Sequence, residues 1–474
     1  MQAITSRRNF LKGTIIGTAA VLTAKACGDR ENLSTPEPNI IFFLVDDQRN
    51  DTLGCAGHPI IQTPVIDNLA KKGCRFSNAF VTTSICPASR ASILTGLYER
   101  THGYTFNTPP LPEKYLQQSY PKLLRNHGYR TGFIGKLGVE INSKSLETLF
   151  DFFHPLGRNP YFHQFPDGSK RHETDLAADY AIQFLRNQQS KIPFCLSVSF
   201  NAAHAEDDDK ENHYPYPPST KGLYEEITIP PPRLSDPSIF KALPKFLQES
   251  INRDRYFWRW DTEEKYQKNM KAYFRMLTGI DQAMGRVINE LETLKLDRNT
   301  VIIYAADNGY YMGNRGFAGK WSHYEESLRI PLIIYDPRLP NSHSGLVEKA
   351  MALNVDIPSS IIDLAGIKVP LSHQGSSLIP FLSGNNPPWR KQFFCEHLMN
   401  HGGIPKWEGV RGERFVYARY FEQQPVYEFL HDLEADPDQL VNFVSDRSYG
   451  KILEKMREQC QELIAKYSQS EGIS

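Results

Sequence analysis

The stretch Ile40-Ile-Phe-Phe-Leu-Val45 contains no polar residue and is followed at once by Asp46-Asp47. A short apolar run of this kind is typical of a strand that is buried on both faces, as in a parallel sheet. Further candidate strands occupy residues 131–135, 194–200 and 301–306, and helix-like stretches such as 280–294 separate them. Strands that alternate with helices predict an α/β fold with a large, mainly parallel sheet flanked by helices.

Polar side chains follow each of these four candidate strands. Because ligands in such sheets bind beyond the carboxyl ends of the strands, we expect these groups to meet in one cleft. The alternative for each carboxylate taken alone is a turn residue or a helix cap. The groups are Asp46, Asp47, Lys136, His204, Asp307 and Asn308.

Four of these groups are oxygen donors that suit a hard cation. Asp46, Asp47, Asp307 and Asn308 include no nitrogen or sulfur ligand, which favours Ca²⁺, with Mg²⁺ as the alternative ion. Gathering three carboxylates in a dry cleft without a cation is costly. A divalent ion offsets that charge and can act as a Lewis acid.

The stretch Ser84-Ile-Cys-Pro-Ala-Ser-Arg-Ala-Ser-Ile-Leu-Thr-Gly96 predicts a helix that begins with Pro87 and ends at Gly96. We expect Cys86 to be its N-cap, facing free backbone N–H groups and the positive end of the helix dipole. Arg90 follows one turn later, so the segment is suited to an anion beside a reactive side chain. The alternative is a buried cysteine before an ordinary helix.

This stretch resembles the signature of the type I, formylglycine-dependent sulfatases of the alkaline-phosphatase-like superfamily. In that family the cysteine is oxidised to formylglycine by a maturation enzyme, and the hydrated aldehyde attacks sulfur. The metal is usually calcium, held by an Asp-Asp pair, the formylglycine oxygen and an Asp-Asn pair, all of which have matches here. The resemblance therefore implies that Cys86 is the modified residue, the nucleophile and a metal ligand.

Other segments resemble the same family. Ser199-Phe-Asn-Ala-Ala-His204 is similar to a segment whose histidine contacts the sulfate ester. Gly319-Lys320, with the Tyr-Glu-Glu-Ser that follows, is similar to a segment whose lysine binds sulfate, and Gly135-Lys136 resembles the family's Gly-Lys-x-His motif. The resemblance implies catalytic roles for Cys86, Arg90, Lys136, His204, Asp307 and Lys320.

In the mechanism that the resemblance implies, Asp307 accepts a proton from the nucleophilic hydroxyl. Arg90, Lys136 and Lys320 hold the charge that develops on the sulfuryl oxygens. His204 gives a proton to the departing alcohol.

The chain departs from the family motifs at two positions. Gly138 stands where the Gly-Lys-x-His motif has its histidine, so another base would be needed, and His102 is our first candidate for it. Arg315 stands where many members carry histidine. It is a candidate for binding a substrate carboxylate or sulfate, and a structural ion pair is the alternative.

We expect the substrate to be a sulfated carbohydrate. Residues 256–260 (Tyr-Phe-Trp-Arg-Trp), His397, Trp407 and Arg411 are candidates to line a sugar subsite. The alternative is that these aromatic residues pack in the core or between domains. We expect the acidic stretch 206–209 to be a solvated loop.

Two other functions remain open at this stage. A phosphonate monoester or phosphodiester hydrolase can share the formylglycine and the fold. A weakly catalytic protein that binds sulfated glycans is the second alternative, suggested by the glycine at position 138.

The length of 474 residues predicts one large domain with a smaller one. We assign the catalytic domain to residues 38–385 and a C-terminal α+β subdomain to 386–474. Alternating runs at 414–420 and 428–433 predict a small antiparallel sheet, and 451–467 predicts a terminal helix. Residues 353–366 are predicted to form a helix that ends at glycine.

The first 27 residues have the pattern of an export signal. Arg7-Arg8, a short uncharged stretch and Ala24-Lys-Ala-Cys27 predict a twin-arginine-type signal peptide over 1–27, followed by a linker over 28–37. The stretch is too short for a transmembrane span. We expect an exported protein, periplasmic or extracellular, that uses the export machinery, with Cys27 a candidate for lipid attachment.

Charge and cysteine content exclude other classes of protein. Lys+Arg and Asp+Glu both number 54, so net charge gives no basis for nucleic-acid binding. The seven cysteines are scattered, which supports neither a zinc site nor a disulfide framework.

Overall fold

The computed structural model describes residues 37–189 and 192–468. The predicted signal peptide and all of the predicted linker except its last residue lie outside the described residues. Within the part of the chain that is described, no helix combines the length and the apolar character needed to cross a membrane.

Two larger sheets, of eight and four strands, two smaller ones and a set of helices make up the described chain. The strands are β1 (Asn39–Val45), β2 (Cys74–Phe76), β3 (Ala79–Phe80), β4 (Arg130–Gly135), β5 (Phe152–Pro155), β6 (Phe162–Gln164), β7 (Lys170–His172), β8 (Phe194–Ser199), β9 (Thr300–Ala306), β10 (Arg329–Ile330), β11 (Leu332–Tyr335), β12 (Leu346–Glu348), β13 (Ala352–Leu353), β14 (Gln392–His397), β15 (Trp407–Gly412), β16 (Phe415–Tyr420) and β17 (Tyr427–Asp432). Short additional pairings join β3 to β10 and β13, and β6 to β7.

The described chain contains fifteen α-helices. They are α1 (Pro64–Lys72), α2 (Cys86–Thr95), α3 (Glu99–His102), α4 (Glu113–Leu116), α5 (Tyr120–Asn126), α6 (Ser143–Leu149), α7 (Glu173–Arg186), α8 (Pro237–Lys241), α9 (Lys245–Gln248), α10 (Ile251–Arg259), α11 (Glu263–Thr293), α12 (Glu325–Leu328), α13 (Asp356–Leu364), α14 (Ile379–Leu382) and α15 (Gly450–Ser468).

The larger sheet has eight strands in the order β12-β2-β11-β9-β1-β8-β4-β5. The five strands from β9 to β5 run parallel to one another, and β11 is antiparallel to β9. Every residue of β1 is buried, because the strand lies inside the sheet and is covered on both faces. The predicted α/β class with a mainly parallel sheet is confirmed, and each of the four predicted strands occurs within one residue of its expected bounds.

The helix predicted at 280–294 is the second half of a longer one. Helix α11 has 31 residues, and Thr262 caps it by accepting the N–H of Lys265 at 3.2 Å. Its first half buries Tyr266, Tyr273 and Phe274 at helical spacing. The hydroxyl of Tyr273 donates to the backbone oxygen of Asp47 at 2.8 Å, so this helix supports the strand end that carries the acidic pair.

The C-terminal part contains the second sheet. Strands β14 to β17 form an antiparallel meander, and α15 packs against β15 and β16. The strands predicted at 414–420 and 428–433 correspond to β16 and β17, and the helices predicted at 353–366 and 451–467 correspond to α13 and α15. The boundary at 385/386 stays a prediction.

Gly135 lies at the end of β4, where the backbone of the neighbouring parallel strand β8 is close. It has a φ of +94°, and a Cβ atom built on it would lie 1.9 Å from the backbone oxygen of Ser199 on β8. The same oxygen accepts the N–H of Lys136 at 2.8 Å. Because Gly135 has no Cβ atom, the chain can turn out of the sheet at Lys136 without a clash against β8.

We predict that Gly135→Ala lowers the free energy of unfolding by about 3 kcal/mol, because it combines a left-handed backbone with a clash against a strand. Gly128→Ala is the matched control, since Gly128 has a φ of +92° but no described heavy atom near its Cβ position. We expect the control to lose about 1 kcal/mol. Urea unfolding measures both, and equal losses would contradict the close approach.

Candidate active site

The helix predicted from the 84–96 run is α2, and its start differs from the prediction by one residue. Ile85, not Cys86, is the N-cap, because the extended backbone (φ −153°, ψ 135°) ends there. Cys86 is the first helical residue and Pro87 is the second. Both lie in the first turn of the helix, where proline is tolerated. Gly96 ends the helix at a φ of +74° as expected, and the Cys86 side chain still lies at the helix N-terminus.

The thiol of Cys86 contacts one acidic and one basic residue. Its Sγ donates to Asp46 Oδ1 at 3.2 Å and accepts from Lys320 Nζ at 2.9 Å. Burial, together with the nearby carboxylates of Asp307 and Asp46, raises the pKa of this thiol to about 12. An unmodified thiol with this pKa is a poor nucleophile at neutral pH.

The acidic groups predicted from the strand ends do converge on Cys86. Potential ligand atoms of Asp46, Asp47, Cys86 and His204 all lie within 4.8 Å of one another. Asp307 joins them, because its Oδ1 accepts the backbone N–H of Asp47 at 3.2 Å. Groups that are distant in the sequence therefore share one buried cleft.

Asn308 supplies the clearest sign of a cation site. Its Nδ2 donates to Asp47 Oδ1 at 2.6 Å and to Gly309 O at 3.0 Å, which fixes the orientation of the amide. The opposite atom, Oδ1, is buried and has no hydrogen-bond partner among the described residues. A buried oxygen without a partner is costly, and a hard cation would satisfy it. The residues present therefore fit a Ca²⁺-type ion.

Three cations balance the three carboxylates of the cleft. Arg90 Nε donates to Asp307 Oδ2 at 2.7 Å. The ammonium groups of Lys136 and Lys320 contact Asp46 and Asp47, respectively. Because these charges sum to zero, adding a divalent cation makes the cleft positive. Such a cleft attracts an anionic ester.

The carboxylates differ in proton affinity. Burial raises the pKa of Asp307 and the neighbouring Asp46 carboxylate raises it further, despite the opposing effect of Arg90. Burial also acts on Asp46, but Lys136 and other cations outweigh it and hold the pKa of Asp46 well below its usual range. Asp307 is thus the stronger proton acceptor of the two.

His204 lies between the acidic cluster and an arginine that the sequence analysis missed. Its Nε2 is 3.7 Å from Asp47 Oδ2, and its Nδ1 is 3.0 Å from Arg158 Nε and 2.7 Å from Ala205 O. Burial and the charge of Arg158 lower the pKa of His204 well below its usual value. Arg158 follows β5, so the same signal of a polar residue after a parallel strand would have found it.

The glycine that replaces the family histidine occupies a crowded place. Gly138 has a φ of +69°, and a Cβ atom there would lie 2.5 Å from Cδ of Arg90. Arg90 thus fills the space in which a side chain at position 138 would begin.

The structure does not bring His102 to the cluster. Its Nε2 lies 3.1 Å from Ser92 Oγ, and its Nδ1 accepts the N–H of Tyr104 at 2.9 Å. Burial lowers the pKa of His102 to about 3. Among the described residues, no hydrogen bond or ion pair links it to Lys136 or Cys86, which argues against His102 as the replacement base.

Arg315, predicted as a substrate ligand, lies in a structural ion pair instead. Its side chain is buried, and its Nε lies 3.1 Å from Glu326 Oε1 while its guanidinium stacks on Tyr324 at 4.1 Å. Arg411 similarly pairs with Glu325 at 3.0 Å. Both arginines are therefore already compensated by carboxylates of α12.

The remaining candidates divide into buried and exposed residues. His397, Trp407 and Trp260 are buried, and packing accounts for Trp407, whose Nε1 donates to Trp321 O at 2.8 Å. His397 has no hydrogen-bond partner among the described residues. Phe257 and Trp258 on α10 stay exposed.

The acidic loop at 206–209 is not simply solvated. Asp207 pairs with Arg255 Nη2 at 3.1 Å and contacts Arg259, which is fully buried. The arginines come from α10, 48 and 52 residues further along the chain, and no local pattern indicates such a pairing.

Comparison with known proteins supports the same family throughout the chain. The sulfatase family model matches residues 38–367, and the model of the N-sulphoglucosamine sulphohydrolase C-terminal region matches residues 313–466. An N-acetylglucosamine-6-O-sulfatase of Bacteroides thetaiotaomicron is 28% identical over 526 residues, covering 97% of this chain and 92% of the relative. An arylsulfatase of Clostridium perfringens is 28% identical over 475 residues, covering 89% and 93%.

A solved structure gives the same result at the level of the fold. It is a complex of a protein with its substrate D-glucosamine-2-N,6-O-disulfate, and it superposes with a TM-score of 0.77 at 26% identity. The match covers 92% of this chain and 99% of that chain. With the family model spanning more than half of its length, the chain belongs to the sulfatase family and is a sulfuric ester hydrolase.

Proposed function

We propose that this sulfatase removes sulfate from a sulfated carbohydrate, with Cys86 converted to formylglycine by a maturation enzyme. The observation that carries the proposal is the position of Cys86 Sγ, in contact with both Asp46 and Lys320 inside the acidic cluster. The carbohydrate substrate is supported by the names of relatives, one an N-acetylglucosamine-6-O-sulfatase and another solved with a sulfated glucosamine.

We propose Ca²⁺ as the resident ion, with Mg²⁺ as the alternative. Asp46, Asp47, Asp307, Asn308 and the modified residue 86 would hold it. The ion would supply a Lewis acid for sulfate oxygens. In its hydrated form, the aldehyde at position 86 supplies one hydroxyl for attack on sulfur and a second whose deprotonation releases sulfate.

The other residues act on charges and protons. Asp307 accepts a proton at the carboxylate that borders residue 86. Arg90, Lys136 and Lys320 provide three positive charges beside Cys86, where the sulfuryl oxygens gain negative charge. His204 Nδ1 lies 2.7 Å from Ala205 O, a carbonyl oxygen that can only accept, so Nδ1 carries a proton and Nε2 faces the cluster. When Nε2 is protonated as well, His204 can donate from that atom to the departing alcohol oxygen.

The function is tested by measuring sulfate release from a panel of sulfated mono- and oligosaccharides after co-expression with a formylglycine-generating enzyme. We expect release from at least one member of the panel. An aryl sulfate and an aryl phosphonate are assayed in parallel. A higher kcat/KM for the phosphonate, with no sulfate released from any saccharide, would favour the phosphonate hydrolase alternative instead.

Cys86→Ala should abolish sulfate release, because it removes the group from which the nucleophile is made. Cys55→Ala is the control, since Cys55 lies outside the cleft beside Asp67, and we expect it to retain wild-type activity. Mass spectrometry of the active, matured protein should show an aldehyde at residue 86. An unmodified thiol in active protein would refute the proposal.

Asn308→Ala should weaken Ca²⁺ binding at least about tenfold, because it removes the buried oxygen that lacks a partner and loosens Asp47. Isothermal titration of the metal-free protein measures the affinity independently of activity. Asn187→Ala, at the exposed end of α7, is the control and should bind Ca²⁺ as the wild type does. Equal affinities for the two variants would exclude Asn308 from the metal site.

We also propose that the protein is exported through a twin-arginine signal. Replacing the pair by Arg7→Lys and Arg8→Lys should leave the full-length protein in the cytoplasm, because such signals depend on both arginines. Cell fractionation followed by immunoblotting measures the distribution, with Lys25→Arg as a control that keeps the charge. Unchanged export of the double variant would exclude this route.

A further inference from the structure

Three arginines surround one carboxylate at the edge of the catalytic cleft. Asp207 pairs with Arg255 Nη2 at 3.1 Å and with Arg158 Nη2 at 3.8 Å, and it contacts Arg259. We call Arg158, Arg255, Arg259 and Asp207 the arginine cluster. Apart from the contact between Arg158 and His204, the proposed chemistry at sulfur does not use these residues.

The arginine cluster lies directly beside the catalytic residues. Arg158 Nε is 3.0 Å from Nδ1 of His204, whose other nitrogen faces Asp47. The guanidinium of Arg255 lies 5.0 Å from the ring centre of Trp321, the residue that follows Lys320. The ring of His204 and the residue Trp321 therefore lie between the arginine cluster and Cys86.

The cluster carries more positive than negative charge. Among the acids at positions 206–209 in the described chain, only Asp207 forms an ion pair with these arginines. Asp208 accepts from the Asn159 side chain, and Asp209 accepts backbone N–H groups of the same loop. Three guanidiniums against one paired carboxylate leave two excess positive charges in the cluster, and the Asp46 carboxylate in the cleft also attracts Arg158. Such like charges repel unless an anion compensates them.

Part of the cluster is open to a ligand and part is fixed. The side chains of Arg158 and Arg255 are 23% and 15% exposed, whereas that of Arg259 is fully buried. The Nε atoms of Arg255 and Arg259 are buried without a hydrogen-bond partner among the described residues. Arg259 thus contacts Asp207 from a fully buried position, while the side chains of Arg158 and Arg255 are partly exposed beside His204 and Trp321.

We infer that Arg158 and Arg255 bind a second anionic group of the substrate, in addition to the ester sulfate that reacts. The group is a sulfate or a carboxylate, because planar guanidiniums bind both through paired N–H···O bonds. It belongs to the sugar that carries the reacting ester or to the adjoining sugar. This inference rests on the proposed function, since it describes the substrate of the same site.

Binding to the Cys86→Ala protein tests the inference without turnover. Isothermal titration compares N-acetylglucosamine-6-sulfate with two ligands that add one anion: glucosamine-2-N,6-O-disulfate, and a disaccharide of a hexuronate with N-acetylglucosamine-6-sulfate. We expect at least one of the two to bind tenfold more tightly than the singly charged sugar. Preference for the disulfate identifies a second sulfate, and preference for the disaccharide identifies a carboxylate. Equal affinities, or no binding of any of the three, would overturn the inference.

A substitution then assigns the preference to the cluster. Adding Arg255→Gln should reduce the tenfold preference to twofold or less, and adding Arg255→Lys should restore part of it. Arg186→Gln, which changes an exposed arginine on α7, is the control and should keep the full preference. If Arg255→Gln lowers Tm but leaves the preference intact, the cluster has only a structural role and the inference is wrong.

The two proposals fail in different ways. If the matured wild-type protein releases no sulfate from any saccharide, the proposed function is wrong. A tenfold preference for the second anion that depends on Arg255 would still establish an anion subsite. If sulfate is released but the second anion has no effect on affinity, only the subsite inference fails.

Discussion

The balance between three carboxylates and three cations in one buried cleft is the constraint on which the rest of this structure depends. Asp46, Asp47 and Asp307 would repel one another strongly at this depth if they stood alone. Arg90 and the two lysines compensate them and leave the cleft neutral before any ligand arrives. A divalent ion and an anionic ester carry opposite charges, so a cleft that is neutral by itself would accommodate the two together more easily than either one alone.

The parallel sheet delivers these charges to one place. Strand β1 ends in the acidic pair, and its neighbours β8 and β9 end near His204 and Asp307, so the register of the strands fixes the spacing of the groups. Helix α2 then brings Cys86 to the same edge with its N-terminus facing the cleft. Buried strands are rigid, which holds the carboxylates at their ends in position, whereas Lys320 and His204 lie on the connections that follow β9 and β8.

The sequence was sufficient for features that depend on local pattern. Buried strands, the glycine stop of α2 and the acids at the strand ends all follow from runs of a few residues. Pairings between distant segments could not be predicted in this way. Asp207 was expected in solvent because its partners, Arg255 and Arg259, lie on a helix far along the chain. Arg315 and His102 looked functional by type, but their partners in the folded chain are structural.

The contact between Gly138 and Arg90 has a consequence for how this sulfatase can change. A histidine at position 138 would need a different backbone conformation and a new path for the arginine at the same time. Gly138→His alone would therefore disturb the guanidinium that holds Asp307. The glycine is coupled to its surroundings, and a histidine at this position requires further changes around Arg90.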